Sequence, residues 1–384
     1  MKKVIIQLLT LINQVVPKRE NYILFTSYPD MSDNSYAFYE YMLKGYADNR
    51  LYIWLVEPNF TIKNIESLQH TKIISKKSIL GFYYYCRSKY IFYTHGLYND
   101  IGNSKNQIVV NLWHGMPLKN IGYLDNKLEF PEANFTIATS PVFQRIMSKA
   151  FKQPLEQVLV CGQPRNQYLL TKDINILKKF GLGENSYKNV IAWLPTYRKS
   201  NFGDVRNDGI TQDLLPLVNK NELKILDSYF GEKKIFCFIK LHPMDTLTKK
   251  DFDSYINIRV LTNQDFNSLD VQLYSFLANT DALLTDYSSV YIDYMLTKKP
   301  IGFIIPDIKE YSNTRGFAFD NVLKRLPGTI IQDFSEIKLF IESLESNEKE
   351  VGYLKDGLFE FYHSVDNNFS KNIYDVIFKS GDRK

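Results

Sequence analysis

The feature that most constrains the fold is an alternation of short apolar runs with helical stretches, which begins near residue 22 and starts again near residue 189. Short continuous apolar runs between helices are typical of parallel strands that are covered on both faces. The predicted strands are Tyr22–Thr26, Leu51–Val56, Tyr90–Tyr93, Ile108–Leu112, Phe135–Ala138, Val158–Cys161, Asn189–Leu194, Ile235–Leu241, Ala282–Thr285 and Ile301–Ile305. Two such arrays predict an α/β protein with two doubly wound, Rossmann-like domains.

The length of 384 residues fits two domains. We place an amphipathic helix at 1–20, a first domain at 21–170 and a second domain at 171–384. Whether the last helices pack back on the first domain stays open. Because ligands of doubly wound sheets bind beyond the carboxyl ends of the strands, we expect a site in a cleft between the domains and look for it just after each strand.

Composition excludes several classes of protein. The net charge is only +5 over 384 residues, without a long basic block, so we predict no nucleic-acid partner. Three widely spaced cysteines in apolar runs, Cys86, Cys161 and Cys237, indicate buried thiols rather than disulfides. No cluster of His, Cys, Asp and Glu has the spacing of metal ligands, and we predict neither a metal nor a cofactor.

The N-terminal segment has two interpretations. Lys2 and Lys3 precede an apolar stretch, Val4–Val16, whose polar residues recur at helical spacing. A bilayer needs about 20 apolar residues, so this stretch is too short to cross one. The helix either packs on its own domain or lies in a membrane surface.

His114 follows a predicted strand and precedes Gly115 and Pro117. Glycine lets the backbone turn and approach a ligand closely. A neutral imidazole in that position can take a proton from a hydroxyl group. Lys119, a few residues on, carries charge that can balance a phosphate. A structural histidine in a turn is the alternative.

His242 follows a predicted strand of the second array and precedes Pro243. Its ring can donate hydrogen bonds to phosphoryl oxygens and stabilise charge in a transition state. The alternative is a buried histidine bonded to the backbone. The matching position of His114 in the first array favours a functional role.

The segment that includes Asp286, Ser288, Ser289 and Asp293 reads as strand, turn and helix. Either serine is a natural N-cap, and a helix N-terminus binds phosphate through its free N–H groups. Arg198 follows another strand and is a candidate for the same phosphate. A capped helix without ligand and a surface arginine are the respective alternatives.

Weaker signals follow other strands. The segment 27–34, which ends in Asp33 and Asn34, either holds part of an acceptor or caps the next helix. Arg165 stands in a Gly-Gln-Pro-Arg turn after the last strand of the first array, and a domain-junction turn is the alternative to a functional role. His95 ends a strand before a glycine, which makes it a possible cleft residue.

Taken together, these segments resemble the CDP-glycerol glycerophosphotransferase family, which makes teichoic acids and related capsule polymers. The matching segments are Trp113-His-Gly115 with Pro117 and Lys119, Gly162-Gln-Pro-Arg165, Pro195-Thr-Tyr-Arg198, His242-Pro243, Thr285-Asp-Tyr-Ser-Ser289 with Asp293, Pro306-Asp307, Tyr311 and Arg315-Gly-Phe317. They occur in the family's order. Gln167 departs from the family pattern, which usually has an aspartate there. The chain's length is most similar to that of the short, primase-sized members.

The resemblance implies a GT-B-like fold, in which the first domain holds the acceptor and the second holds a CDP-linked donor. It implies that His114 is the catalytic base and that His242 binds the pyrophosphate. Donor contacts are expected from Arg198, Asp286, Ser288, Ser289 and Asp293, and acceptor contacts from Asp33, Asn34 and Lys119.

The implied reaction transfers glycerol phosphate from CDP-glycerol to a hydroxyl of a lipid-linked disaccharide or growing polymer and releases CMP. The implied location is peripheral, on the cytoplasmic face of the cell membrane, and a homo-oligomer stays open. The alternatives are a CDP-ribitol ribitolphosphotransferase, a GT-B glycosyltransferase that uses a sugar nucleotide, and a non-catalytic scaffold for polymer assembly.

Overall fold

A computed structural model describes residues 2–47, 49–61, 70–125, 132–183, 186–196, 214–241, 247–314, 316–345, 357–358, 360–364, 366 and 368–379. The chain divides into two units. Unit 1 comprises residues 1–116, 122–167 and 362–384, and unit 2 comprises residues 117–121 and 168–361.

Unit 1 is built on a parallel sheet of seven strands in the order β3-β2-β1-β4-β5-β6-β7. The strands are β1 (Arg19–Thr26), β2 (Leu51–Val56), β3 (Thr71–Ser75), β4 (Ser88–Tyr93), β5 (Ile108–Asn111), β6 (Phe135–Ala138) and β7 (Val158–Val160). The helices are α1 (Lys2–Val15), α2 (Asp33–Tyr46), α3 (Ile79–Arg87) and α4 (Pro141–Phe151). This order reverses direction between β1 and β4, the switch point at which such sheets bind ligands.

The core of unit 1 is largely aromatic. Phe25, at the centre of β1, stacks against Trp54 and Phe92 from the neighbouring strands, with ring centroids 5.4 Å apart in both pairs. All three side chains are fully buried. The paired strands are thereby joined by side chains as well as by backbone hydrogen bonds.

Helix α1 packs on the rest of unit 1 through the buried Asn13 and through Ile12, which lies against the core cluster that contains Leu24. The fully buried Asn13 amide donates hydrogen bonds to the Gly102 carbonyl (3.1 Å) and to the Gln107 side chain (2.9 Å). Five apolar residues of the same helix are more than half exposed, namely Val4, Ile5, Leu8, Leu11 and Val15, and the polar residues Lys3, Gln7 and Gln14 are exposed as well. The helix therefore exposes more apolar side chains than a helix that buries its apolar face on a domain. Within the described part of the chain, every helix is too short or too polar to cross a bilayer.

The C-terminal segment belongs to unit 1. A helix spans Phe369–Tyr374 and continues as a π-helical turn over Asp375–Lys379. Ile373 is fully buried in the core that contains Phe25, and the Tyr374 ring stacks on Tyr46 of α2 with centroids 3.9 Å apart.

Unit 2 is built on a parallel sheet of six strands in the order β10-β9-β8-β11-β12-β13. The strands are β8 (Asn189–Leu194), β9 (Ile235–Lys240), β10 (Ile258–Leu261), β11 (Ala282–Thr285), β12 (Ile301–Ile304) and β13 (Thr329–Ile331). The helices, numbered on from unit 1, are α5 (Asn175–Lys179), α6 (Lys220–Lys233), α7 (Asn263–Leu269), α8 (Leu273–Ala278), α9 (Val290–Tyr294), α10 (Ile308–Thr314) and α11 (Phe334–Ser343), and the C-terminal helix Phe369–Tyr374 becomes α12. Here the switch point lies between β8 and β11.

Candidate active site

His114 lies in a tight turn that begins where β5 ends. Asn111, the last residue of β5, accepts a hydrogen bond from the Trp113 backbone through its side-chain oxygen (3.0 Å). Trp113 has a positive φ of 47°, and Gly115 has a φ of 140°, a value that side chains rarely tolerate. The turn leaves the His114 side chain partly exposed at the carboxyl edge of the sheet.

The His114 ring has a defined hydrogen-bond partner. Its Nδ1 atom lies 3.2 Å from the backbone oxygen of Thr94, which follows β4. A carbonyl oxygen can only accept a hydrogen bond, so in the neutral ring Nδ1 carries the proton. The lone pair is consequently on Nε2, which is the atom that can accept a proton from a substrate.

Burial lowers the pKa of His114 below its ordinary value. The Thr94 carbonyl and the Asp33 carboxylate oppose this shift, and the Arg165 guanidinium adds to it. A lowered pKa keeps the imidazole neutral at pH 7. A neutral ring with a free Nε2 lone pair is the form that a general base requires.

Arg165 links the His114 turn to the start of α2. Its Nη1 atom donates to the Asp33 carboxylate (2.7 Å) and to the backbone oxygen of His114 (3.0 Å). Sequence analysis placed Arg165 in a turn and in a family motif but assigned it no contact. An arginine a few residues after the end of β7 was the available signal, but its partners lie more than 50 residues away along the chain.

The predicted acceptor contact of Asn34 is wrong. The Asn34 side chain is fully buried, and its amide donates to the backbone oxygens of Leu112 (3.1 Å) and Trp113 (2.9 Å) and to the Gln163 side chain (3.2 Å). Its oxygen accepts from the Arg165 backbone (3.1 Å). The amide is therefore fully used in joining the ends of three strands, and Asn34 positions the His114 turn. Asp33 stays a predicted acceptor contact.

Lys119 belongs to unit 2. It forms an antiparallel bridge with Phe317, and its ammonium group lies 5.5 Å from the centroid of the Tyr311 ring. The predicted acceptor contact of this lysine stays a prediction.

His95 lies against His114. The two ring centroids are 4.0 Å apart and the planes are inclined by 11°, a face-to-face stack. His95 Nδ1 lies 2.8 Å from the Thr94 hydroxyl. The sequence marked His95 only as a possible cleft residue, because nothing local shows that β4 and β5 bring the two rings together.

In unit 2, a buried carboxylate joins the two strand ends at the switch point. Asp286, which follows β11, is 1% exposed and accepts hydrogen bonds from the Thr196 backbone (3.0 Å) and hydroxyl (2.7 Å) after β8. Thr285 bonds the Leu194 carbonyl in the same place (2.8 Å). Asp286 is thus engaged by the protein, and we correct its predicted donor contact to a positioning role.

The turn before α9 differs from the prediction. Ser288 and Ser289 are both partly exposed, but Ser289, at the N-cap position, makes no side-chain capping bond. Ser288 accepts only a long hydrogen bond (3.4 Å) from the Val290 backbone. The hydroxyls are therefore not engaged as strong caps, and their donor contacts stay predictions.

The predicted donor contact of Asp293 is wrong. Asp293 is fully buried within α9, and its carboxylate accepts a hydrogen bond from the Tyr274 hydroxyl (2.5 Å). A side chain without exposed surface does not reach a ligand in this conformation. Its role is to join α8 to α9.

Two predicted site residues, His242 and Arg198, lie outside the described residues.

Lys240, the last residue of β9, is described and was missed by the sequence reading. Burial lowers the pKa of Lys240 to about 8. Its ammonium group donates to the Leu241 carbonyl (2.8 Å). Across the residues that the structure describes, no group of three or more His, Cys, Asp or Glu side chains could hold a metal ion.

Two doubly wound units, with a candidate base at the strand ends of the first and polar groups at those of the second, place the chain in the GT-B-like fold class. Residues 8–379 match the family model described as CDP-glycerol:poly(glycerophosphate) glycerophosphotransferase. This chain therefore belongs to the CDP-glycerol glycerophosphotransferase family. The family, the fold class and the enzyme class expected from the motifs are confirmed.

Relatives and a solved structure agree with this assignment. The chain is 27% identical to the teichoic acid poly(glycerol phosphate) polymerase of Staphylococcus epidermidis, over 93% of the chain and 50% of that polymerase. It is 25% identical to the teichoic acid glycerol-phosphate transferase of Staphylococcus aureus, over 94% of the chain and 93% of the transferase. The structure of the wall teichoic acid polymerase TagF, H548A, matches with a TM-score of 0.76 and 20% identity, covering 100% of this chain and 96% of that one. At that identity the structural match shows the fold alone.

The chain spans only half the length of the S. epidermidis polymerase. Ribitol-phosphate enzymes of Bacillus spizizenii and S. aureus match at 24% to 28% identity, no better as a group than the glycerol-phosphate enzymes.

Proposed function

We propose that this chain transfers glycerol phosphate from CDP-glycerol to an acceptor hydroxyl. The acceptor O–H bond gives its proton to Nε2 of His114, and the oxygen attacks the β-phosphorus of the donor. The bond between the β-phosphorus and the bridging oxygen breaks, and CMP leaves with the electron pair. The products are CMP and an acceptor that carries a new glycerol phosphate ester.

The observation that carries this proposal is the hydrogen bond from His114 Nδ1 to the Thr94 backbone oxygen. It leaves Nε2 without a proton, in a ring whose pKa is lowered by burial. A general base of this kind contributes about 10²- to 10⁴-fold to a rate. The membership of the chain in a glycerophosphotransferase family supports the choice of reaction.

On the donor side, we propose that Arg198, His242, Ser288 and Ser289 bind the pyrophosphate. The two serines are partly exposed at the carboxyl end of β11, the edge at which ligands of such sheets bind. Thr196, bonded to Asp286, fixes the chain two residues before Arg198. Positive or hydrogen-bond-donating groups at these positions would stabilise the charge that shifts to CMP.

On the acceptor side, we propose a hydroxyl of a lipid-linked disaccharide or of a growing polymer, contacted by Asp33 and Lys119. A lipid-linked acceptor calls for an enzyme at a membrane surface. The exposed apolar residues of α1 support this placement, and α3, which contacts α1, also exposes Ile79 (91%), Leu80 (53%) and Tyr83 (47%). The proposed location is the cytoplasmic face of the cell membrane.

Product analysis tests the reaction. The purified chain is incubated with a lipid-linked disaccharide and, in separate reactions, CDP-glycerol, CDP-ribitol and UDP-sugars, and the product masses and released nucleotides are measured. We expect release of CMP and an acceptor whose mass is increased by one or more glycerol phosphate units. Turnover of CDP-ribitol alone, release of UDP, or no turnover would support the ribitol transferase, the glycosyltransferase or the scaffold instead.

Vesicle binding tests the location. Leu8→Asn with Leu11→Asn should weaken sedimentation with vesicles that contain anionic lipid by about tenfold or more, because two apolar contacts with the membrane are lost. The matched control is Ile256→Asn with Leu339→Asn, since these two apolar residues of unit 2 are similarly exposed (79% and 61%). Equal losses in both variants would contradict a membrane contact by α1.

A further inference from the structure

We propose that His95 is a positioning residue for His114, which holds the base in its reactive orientation by face-to-face stacking. This inference rests on the proposed role of His114 as the base. His95 itself is given no contact with the reacting atoms.

The two imidazoles are held by a single residue. Thr94 is fully buried directly after β4; its backbone oxygen bonds His114 Nδ1 (3.2 Å) and its hydroxyl bonds His95 Nδ1 (2.8 Å). Backbone pairing fixes this residue beside the base, since Tyr93 pairs with Asn111 and the Leu112 backbone donates to the Tyr93 carbonyl (2.8 Å). The register of two central strands therefore sets the distance between the rings.

The base ring is enclosed by two aromatic neighbours. The centroids of His95 and Trp113 each lie 4.0 Å from that of His114, with planes inclined by 11° and 32°. Two rings at that distance cannot share one face of a small imidazole, so they lie against different sides of it. Rotation of His114 away from the Thr94 carbonyl would need one of them to move, and the Tyr28 ring packs against His95 at a steep angle (centroids 5.7 Å apart, planes inclined by 73°).

Stacking also restricts protonation of the pair. Two positively charged rings at this distance repel, so the pair holds one proton more readily than two. Loss of water from the stacked face, and then the neighbouring His114 ring, lower the pKa of His95, although part of its surface stays exposed. The charged groups that act on the pair are Asp33, Arg165 and, for His95, Lys76.

Three variants separate stacking from other roles. His95→Phe keeps a flat ring over His114 but cannot titrate, whereas His95→Ala removes the ring and admits water. His363→Ala is the matched control, because His363 is an exposed histidine of the same unit. The first readout is the pH dependence of kcat and of KM for CDP-glycerol.

We expect His95→Ala to lower kcat about tenfold through misplacement of the base, with KM for the donor unchanged. In its profile of kcat against pH, the acid limb, where kcat falls as His114 becomes protonated, should move to higher pH, since water restores the pKa of His114 towards its ordinary value. His95→Phe and His363→Ala should keep the wild-type kcat and limb. A His95→Ala enzyme with wild-type kcat and limb, or a His95→Phe enzyme as impaired as His95→Ala, would overturn the proposal.

Nitrogen-15 NMR gives a second readout that needs no turnover. With five histidines in the chain, the His114 signals can be assigned by single substitutions. The protonated Nδ1 form of His114 should dominate in the wild type and in His95→Phe and give way to mixed tautomers in His95→Ala. An unchanged tautomer in His95→Ala would overturn the inference. If the NMR spectra show the expected tautomers but the wild-type protein does not turn over the substrate, only the proposed function is contradicted.

Discussion

In unit 1, the carboxyl edge of the sheet carries two stacked imidazoles beside an ion pair, whereas in unit 2 the same edge carries a buried carboxylate and two partly exposed hydroxyls. The first six strands of unit 1 and the strands of unit 2 follow the same order. Strand order therefore does not decide the chemistry. The residues that follow the strands do, and the proposed reaction needs both kinds: a proton acceptor for the hydroxyl and hydrogen-bond donors for the phosphates.

The largest expected effect is that of replacing His114 in unit 1. His114→Ala should lower kcat by about 10³-fold, because the general base is lost, while the Kd for CDP-glycerol measured by calorimetry stays unchanged. The matched control is again His363→Ala, with wild-type kcat. Turnover within twofold of the wild type in His114→Ala would mean that the base lies elsewhere.

Substitutions in unit 2 should differ from His114→Ala because they also weaken binding of the donor. Arg198→Ala and His242→Ala should each weaken binding of CDP-glycerol and lower kcat, since each removes a proposed phosphate contact. The two effects combined should lower kcat/KM by about 10²-fold in each variant. Lys199→Ala removes a neighbouring positive charge and serves as the control. If it causes the same loss as Arg198→Ala, general charge rather than a specific contact binds the donor.

Asn34, which has a structural role at the carboxyl edge of the unit 1 sheet, should affect the stability of the fold. Asn34→Leu leaves buried hydrogen-bonding groups without partners, and we expect the free energy of unfolding to fall by about 2 kcal/mol. Urea denaturation measures this change. Asn59→Leu, at an exposed position, should change it little. Equal stabilities of the two variants would argue that the Asn34 bonds contribute nothing.

The smallest expected effect is a pH dependence of stability. The folded state lowers the pKa of His114, so below about pH 6.5 the unfolded chain binds a proton more readily and stability is lost as pH falls. The wild type should therefore lose more stability than His114→Gln between pH 7.5 and 5.5, by up to about 1 kcal/mol. Identical losses in thermal or urea unfolding would show that the pKa of His114 is not lowered by folding.

The central strands could be predicted from sequence, and three edge strands could not. Strands β3, β10 and β13 lie at sheet edges. Thr71–Ser75 has no fully buried residue, Ile258–Leu261 contains an exposed arginine, and Thr329–Ile331 is only three residues long. A strand that is covered on one side lacks the continuous apolar run that marks a central strand.

The candidate site, like the fold, could be predicted from the sequence only in part. His114 was predictable because its signal is local: a strand end followed by glycine. The roles of Asn34 and His95 depend on bonds and ring contacts to residues that approach only when the strands pair, from 19 to 131 positions away for the contacts named above. Sequence position after a strand showed that these residues lie at the edge, but not whether they face a ligand or the protein.

The most direct test of His114 as the general base is the pH dependence of the single-turnover rate of CMP release at saturating CDP-glycerol and acceptor. We predict a rate that rises through one ionisation with a pKa below the ordinary histidine value of about 6.5, and the loss of that ionisation in His114→Ala. A limb at or above 6.5 in the wild type, or the same limb in the His114→Ala enzyme, would contradict this assignment.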